Sequence, residues 1–381
     1  MDTSWWRTAE DLDKAQKAFV MLPPSGKHLL QGPPGSGKTN MLLLRAQFIA
    51  GSGFKNVLVI SFTKALAGFM KSGVERKGII QKEQVRTFHS WAAEYILEHL
   101  GERLIDKGSD FDEAARARTI ELLRKASTKA ASTSPYDGIF VDEAQDFTVA
   151  ELECLIPLSE RICLCGDVRQ GIYNNDGLEV ATKFGLTSVT LENHYRIGPR
   201  IAQVADRIIP PSSGEKSLED TSNYDQKRWG ESSAKMHPCD SRDDQFHKMM
   251  ELIEVQLDAF KGDLIGILCG KRETALDVMQ RLEASKHKDN VCLHLNSDGS
   301  FNSEKVIHIL TLHSSKGTEF RAVHIFGAEE MASYPLNRTK LAYTAVTRAK
   351  TALNVYRTGP TRPAFEAAFA TPAHLELEDL F

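Results

Sequence analysis

The sequence predicts an α/β protein of two lobes, each a parallel sheet covered by helices. Three observations lead there. Short apolar runs recur along the chain and helix-spaced segments follow several of them, the pattern of strands joined by helical crossovers. A glycine-rich turn, Gly32 to Thr39, stands between the first such run and a helix. The length of 381 residues exceeds one typical domain and suffices for two separate cores.

Taken in order, the run KHLLQ leads through GPPGSGKT into the helical segment TNMLLLRAQFIA. VLVISF is continuously apolar and ends in a polar turn, and GIFVDEAQD and RICLCGD have the same form. SVTLENHYR, DLIGILCG, VIHILTLH and AVHIFGA follow, with the helix RETALDVMQRLEAS among them. The division between lobes is expected near residue 190, giving lobes of 1–190 and 191–381. Asp110 to Ala131 has helical spacing, so a small helical insertion is expected near 95–135. Ile209 to Ser233, with prolines, glycine, serines and mixed charges, reads as an exposed polar loop or mobile insert. The tail from Ala373 to Phe381 is acidic and apolar by turns.

Composition excludes several classes. Hydrophobic residues make up 41% and charged residues 26%, ordinary for a globular protein. No stretch approaches the about 20 apolar residues that a membrane span needs. The opening MDTSWWRTAEDLDKAQKAFV is interrupted by charges, which predicts no signal peptide. The six cysteines include no C-x-x-C pair, and Cys163 and Cys165 alternate along RICLC, so both can face one side. A reduced, cytoplasmic protein with buried thiols is expected. The formal net charge is −4, yet residues 1–138 carry +5 and the remainder −9. That asymmetry permits a basic track on the first lobe.

Gly32-Pro33-Pro34-Gly35-Ser36-Gly37-Lys38-Thr39 fits the pattern G-x-x-x-x-G-K-[ST]. Glycines let the backbone curl so that several N–H groups point at phosphates, and the following helix adds its positive end. Lys38 is expected on the β/γ-phosphates and the Thr39 hydroxyl on Mg²⁺, so ATP and Mg²⁺ are the expected cofactors. The candidate nucleotide set here is Gly32, Pro33, Gly35, Ser36, Gly37, Lys38, Thr39 and Asn40. Phe140-Val141-Asp142-Glu143-Ala144-Gln145-Asp146 ends another apolar run. An acid there can hold Mg²⁺ and its neighbour can take a proton from the attacking water, so Asp142 is assigned to the metal and Glu143 to the base.

Together these motifs resemble the UvrD/Rep/PcrA type of superfamily 1 helicases, in that family's order and over nearly the whole chain. Leu12-Asp13-Lys14-Ala15-Gln16 resembles the Q motif, Phe62 to Ala67 motif Ia, and Thr87 to Ser90 motif Ib. DEAQD resembles motif II, Gly166 to Tyr173 motif III, Asn193 to Arg196 motif IV, Thr311 to Phe320 motif V and Tyr343 to Ala349 motif VI. The resemblance implies RecA-like lobes. It implies that Gln16 reads the adenine edge, Tyr195 stacks on its face, and Gly317 and Glu319 meet the nucleotide, Glu319 at the ribose. Gln170 would touch the γ-phosphate from the first lobe, and Arg196 and Arg348 from the second, as arginine fingers. Guanidinium suits that task because it is always charged and can bond two phosphate oxygens at once. Phe62, Thr63, Thr87, His89, Tyr173 and His313 are the implied contacts to a single strand, where aromatic stacking and phosphate bonds combine.

Two departures from the family stand out. Tyr173 is followed by Asn174-Asn175-Asp176-Gly177, where an aromatic residue and an arginine are usual. The chain also lacks room for large inserted subdomains. The resemblance implies an ATP-dependent translocase or helicase on single-stranded or tailed DNA, with 3′→5′ polarity. The departures bring in a second reading, a DNA-gated ATPase switch that licenses a partner such as a nuclease in bacterial defence or repair. An RNA helicase is a third. A small-molecule kinase leaves motifs III to VI unexplained. The terminal Glu376-Leu377-Glu378-Asp379-Leu380-Phe381 loosely resembles a clamp-binding peptide, which suggests a protein partner.

Overall fold

The computed structural model describes residues 9–75, 78–104, 113–130, 134–173, 175–295 and 305–370. Asn174 and the terminal acidic peptide lie outside the described residues. The chain divides into two compact units, the first running to Tyr195 and the second beginning at Arg196. No helix among the described residues is long and apolar enough to cross a membrane.

The first unit is built on six parallel strands: β1 (Gly26–Gln31), β2 (Val57–Ser61), β3 (Val85–Thr87), β4 (Gly138–Val141), β5 (Arg161–Gly166) and β6 (Thr187–Thr190). Their order is β3-β2-β4-β5-β1-β6. β2 and β4 are buried at every residue, which is why they read as continuous apolar runs rather than alternating ones. Side chains still alternate between faces. Leu164 and Ile162 enter one core with Leu58, Ile60, Ile139 and Val141, while Cys163 and Cys165 enter the other with Val57, Val59 and Phe140. Both thiols therefore share a face, and burial pushes Cys163 up to about 12.

Helices α1 (Lys14–Val20), α2 (Lys38–Gly51), α3 (Lys64–Glu75), α4 (Phe88–Leu100), α5 (Glu113–Lys129), α6 (Val149–Leu155) and the short α7 (Val180–Lys183) cover this sheet. Local chemistry sets their starts. Asp13 and Gln16 form a reciprocal capping box at α1, Thr87 caps α4, and Thr148 and Glu151 form a second box at α6. α4 and α5 pack through Phe88, Trp91, Tyr95 and Ile96 against Leu122, Leu123 and Ala126. Arg116 on α5 donates from Nε and Nη2 to the two carboxylate oxygens of buried Glu151, at 2.9 and 2.5 Å. That fork joins the helical pair to the segment following the DEAQD run.

The second unit has the parallel order β7-β12-β11-β8-β10-β9, with β7 (Ser233–Pro238), β8 (Ile265–Cys269), β9 (Val291–His294), β10 (Ile307–Thr311), β11 (Phe320–Phe326) and β12 (Ala349–Arg357). Its helices are α8 (Pro199–Ile208), the single turn α9 (Gln226–Trp229), α10 (Arg242–Ala259), α11 (Arg272–Glu283), α12 (Thr339–Val346) and α13 (Pro363–Phe369). α8 opens with Pro199 at its first position and buries Ile201, Ala202, Val204, Ala205 and Ile208, a stripe at helical spacing.

The segment 209–233, expected as an exposed polar loop or mobile insert, is a mostly exposed loop with one helical turn, α9, and it is tied at several points. The Asp206 carboxylate accepts the N–H groups of Leu218 and Glu219 at 2.9 and 3.0 Å, and Leu218 is buried. Tyr224 shares a hydrogen bond of 2.8 Å with Thr351, and the Arg321 guanidinium lies 4.5 Å from the Trp229 ring centroid. These bonds to its own backbone and to β12 anchor a loop whose surface is otherwise largely solvated.

Arg116→Met should lower the stability of the first unit by about 3 kcal/mol, because it leaves the buried Glu151 carboxylate with only its capping-box donors. Denaturant unfolding followed by near-UV signals checks this. A loss under about 0.5 kcal/mol would mean that the fork is energetically idle.

Candidate nucleotide-binding site

The Gly32–Lys38 turn links β1 to α2, so it stands at the carboxyl end of a strand flanked by β5 and β6. Ligands of open parallel sheets bind at that edge. Gly37 has φ +87°, a left-handed conformation that a side chain would strain, and it starts α2. Lys38 Nζ donates to the carbonyl oxygens of Gly32 and Pro33 at 2.8 and 3.1 Å, and Ser36 N–H donates to Pro33 at 3.2 Å. The ammonium thus arches back over the loop whose N–H groups would cradle phosphate. Asn40 lies in the first turn of α2, half-buried.

Gln16 and Tyr195 fix the loop, with Asp13 linking the two. Gln16 is buried, donates to the Ser36 carbonyl at 2.9 Å, and accepts the Asp13 N–H at 3.1 Å. Tyr195 donates its N–H to the Gly35 carbonyl at 3.2 Å, and its hydroxyl bonds Asp13. Gln16 and Tyr195, both expected at adenine, are therefore also part of the scaffold of the phosphate loop.

Thr39 Oγ1 donates to Asp142 Oδ2 at 2.7 Å. Asp142 follows the last residue of β4 and is 1% exposed. Its Oδ1 accepts the Glu143 N–H at 3.0 Å and the Cys165 thiol at 2.7 Å. Burial, and then the Glu143 charge, raise the Asp142 carboxyl to about 6, while the bonds from Cys165, Thr39 and the Glu143 N–H pull it back. Glu143 has φ +54° and is the non-glycine residue with positive φ among the described residues. Such strain persists only where the surroundings impose it. The Gln145 amide bonds the Glu143 carboxylate.

The same Gln145 accepts the Asp167 N–H through Oε1 at 3.0 Å, and Gln170 Nε2 donates to Asp167 Oδ2 at 2.9 Å. A Cβ on Gly166 would stand 2.5 Å from Gln145 Oε1, so this link requires glycine there. Half-buried Glu143 and buried Gln145, Asp167 and Gln170 form one chain of polar contacts. Asn175 bonds the Asp146 carbonyl, and Asp176 accepts the Val149 N–H at the start of α6 at 2.8 Å. The two residues that depart from the family after Tyr173 thus hold the DEAQD segment.

The donor set fits an Mg²⁺-bound nucleotide. The paired hydroxyl and carboxylate of Thr39 and Asp142 are hard oxygen ligands, and Ser36 Oγ is buried without a hydrogen-bond partner.

The expected strand contacts of this unit divide. Phe62 is half-buried, edge-on to Phe147 at 5.3 Å and tilted against Tyr173 at 5.3 Å. Thr63 Oγ1 accepts the Leu66 N–H at 3.3 Å. Thr87 is 9% exposed, and its Oγ1 accepts the Ser90 N–H at 3.2 Å, so it caps α4. His89, half-buried, packs against Phe88 at 6.0 Å and is not the cap.

In the second unit, Arg196 pairs with Glu319 and donates to the Thr347 carbonyl at 3.0 Å. Lys350 Nζ lies 3.5 Å from the other Glu319 oxygen. Burial would raise the Glu319 carboxyl, but Arg196, then Lys350 and Arg348, hold it below the usual range. Arg348 is 3% exposed and donates to the carbonyls of Thr344 and Thr318 at 3.0 and 3.2 Å. It ties motif VI to motif V, so the side chain expected as an arginine finger also holds the packing of this unit. Gly317 takes φ +80° in the turn before Glu319. His313 is half-buried, and burial, then Arg338, lower its pKa.

Residues 16–176 match the model of an AAA domain, and residues 306–356 match that of a UvrD-like helicase C-terminal domain. The chain is 37% identical over 84 residues to F-box DNA helicase 1 of Gallus gallus, a stretch of 21% of this chain and 8% of that protein. Among solved structures it is similar to the C-terminal domain of a possible DNA helicase from Lactobacillus plantarum, at 16% identity and TM-score 0.33 over 45% of this chain and 91% of that one. It is also similar to the helicase of PRRSV, at 14% identity and TM-score 0.44 over 90% of this chain and 54% of that one.

Glu143→Gly should raise the stability of the first unit by about 1 kcal/mol, since glycine takes the left-handed conformation without the Cβ penalty. The change also removes a charge beside buried Asp142. Thermal unfolding without nucleotide or metal reads the effect. A destabilisation above about 1 kcal/mol would show that the Gln145 contact outweighs backbone strain.

Proposed function

We propose that this chain, which carries matches to an AAA domain and to a UvrD-like helicase C-terminal domain, is a UvrD-like superfamily 1 helicase and an ATPase that acts on single-stranded or tailed DNA. The observation that carries this reading is the Thr39–Asp142–Glu143 geometry beside the phosphate loop. In it the Gly32–Lys38 backbone wraps phosphate and Lys38 leaves its loop carbonyls for the β/γ-oxygens. Thr39 and Asp142 would hold Mg²⁺, which would offset phosphate charge. Glu143, held in its strained conformation, accepts the proton of the attacking water. Gln170 reports the γ-phosphate through Asp167 and Gln145. Arg196 and Arg348 act as arginine fingers from the second unit, with Glu319 exchanging Arg196 for the nucleotide.

We assign translocation with 3′→5′ polarity to this cycle, with Phe62, Thr63, Thr87, His89, Tyr173 and His313 along the strand. A second reading, a DNA-gated switch that licenses a partner, is favoured by one observation. Asn175 and Asp176 are bonded to the DEAQD segment, and Phe62 and Tyr173 are packed on each other, so this region couples to the nucleotide site more evidently than it offers a stacking platform.

Lys38→Ala should abolish turnover in a folded protein, and Arg196→Ala should lower kcat by about 10³ or more. Near-normal turnover in the first, or a loss under tenfold in the second, contradicts the mechanism. Repeated streptavidin displacement from biotinylated single strands supports the motor. Stimulated turnover without displacement supports the switch.

A further inference from the structure

β9 and β10 are parallel neighbours at the edge of the second sheet, and their register pairs Cys292 with His308. Side chains two apart on a strand share a face, so His294 joins Cys292 on the side to which its register partner His308 points. The opposite face carries Val291, Ile307 and Ile309 into the core. The three heteroatoms converge. Cys292 Sγ lies 2.8 Å from His294 Nε2 and 3.8 Å from His308 Nδ1, and the two imidazole nitrogens are 2.9 Å apart. They constitute the group with metal-ligand geometry among the described residues.

We propose that Cys292, His294 and His308 bind a zinc ion that clips β9 to β10. Thiolate and imidazole are the donors that zinc takes, with Zn–S about 2.3 Å and Zn–N about 2.0–2.1 Å. A tetrahedron with those bonds separates its nitrogens by about 3.4 Å and sulfur from nitrogen by about 3.6 Å. The two sulfur–nitrogen separations bracket 3.6 Å and the nitrogens stand about 0.5 Å closer than 3.4 Å, differences that side-chain rotation can take up.

The second layer is in place. His308 Nε2 is 2.8 Å from the Lys305 carbonyl oxygen, which only accepts, so Nε2 carries the hydrogen and Nδ1 turns its lone pair to the cluster. The Phe320 ring, 5.9 Å from that imidazole, forms an apolar wall. Binding requires His294 to carry its hydrogen on Nδ1 and the Cys292 thiol to lose its proton to solvent, so one proton leaves per ion bound. With three protein ligands the fourth position falls to water. Neither the phosphate loop nor the carboxylates of the nucleotide site take part, so zinc binding stands or falls independently of ATP hydrolysis.

The test uses the full chain, stripped by chelator and reloaded with zinc alone or cobalt alone. Gel-filtered protein should retain about one zinc per chain, and the unfolding transition should rise by about 5–10 °C at a hundredfold excess over Kd. Cobalt should give tetrahedral d–d bands and a thiolate-to-cobalt charge-transfer band. Cys292→Ser should lose the charge-transfer band. His294→Ala, at a half-buried edge position where folding is preserved, should weaken cobalt binding by roughly tenfold or more. No retained zinc in the folded wild-type chain overturns the proposal, and so does a charge-transfer band that survives Cys292→Ser.

Discussion

One hydrogen bond, from Thr39 Oγ1 to Asp142 Oδ2 at 2.7 Å, organises the first unit. It joins the helix that follows β1 to the end of β4, two strands separated in the sheet by β5. The strand between contributes as well, because the Cys165 thiol of β5 donates to the other oxygen of the same carboxylate. Three strands thus meet at one buried acid. Burying a carboxylate is costly unless donors surround it, and here a hydroxyl, a thiol and an N–H do so. Burial, and then the neighbouring Glu143 charge, still raise its pKa to about 6.

From that acid the polar contacts run outward through Glu143, Gln145, Asp167 and Gln170. A chain of this kind has few alternative arrangements, since each member uses its donors and acceptors on the next. It gives a physical route by which a change at the nucleotide could reach the segment carrying Tyr173, Asn175 and Asp176. In the second unit the corresponding cluster is ionic: Glu319 sits between Arg196 and Lys350, with Arg348 anchored beneath on two carbonyls. Those arginines are thereby held in fixed orientations.

Much of this was legible in the sequence because the decisive elements are local. The phosphate loop, the apolar strands ending in acids and the helices with spaced apolar stripes all announce themselves within a dozen residues. What escaped depends on distant partners. β3 has three residues and β7, SAKMHP, mixes polar residues with a terminal proline at the sheet edge, so neither shows a strand period. β12 carries Lys350, Thr351 and Asn354 among its apolar residues, which conceals a strand that is buried along most of its length. Asn175 and Asp176 read as the loss of an aromatic residue and an arginine, whereas their bonds to Asp146 and Val149 are visible only in three dimensions. Cys292 and His294 are separated from His308 by more than a dozen residues, and only the parallel register of β9 and β10 brings them together.

If buried Asp142 and its neighbour Glu143 serve an ATPase gated by nucleic acid, turnover must depend on both the strand and the base. The decisive measurement is steady-state ATP turnover by the full chain with Mg²⁺, with and without single-stranded DNA. Turnover that rises by an order of magnitude or more on adding the strand, and falls to background in Glu143→Gln, is the predicted result. Turnover indifferent to DNA, or absent from the folded wild-type chain under both conditions, would contradict it.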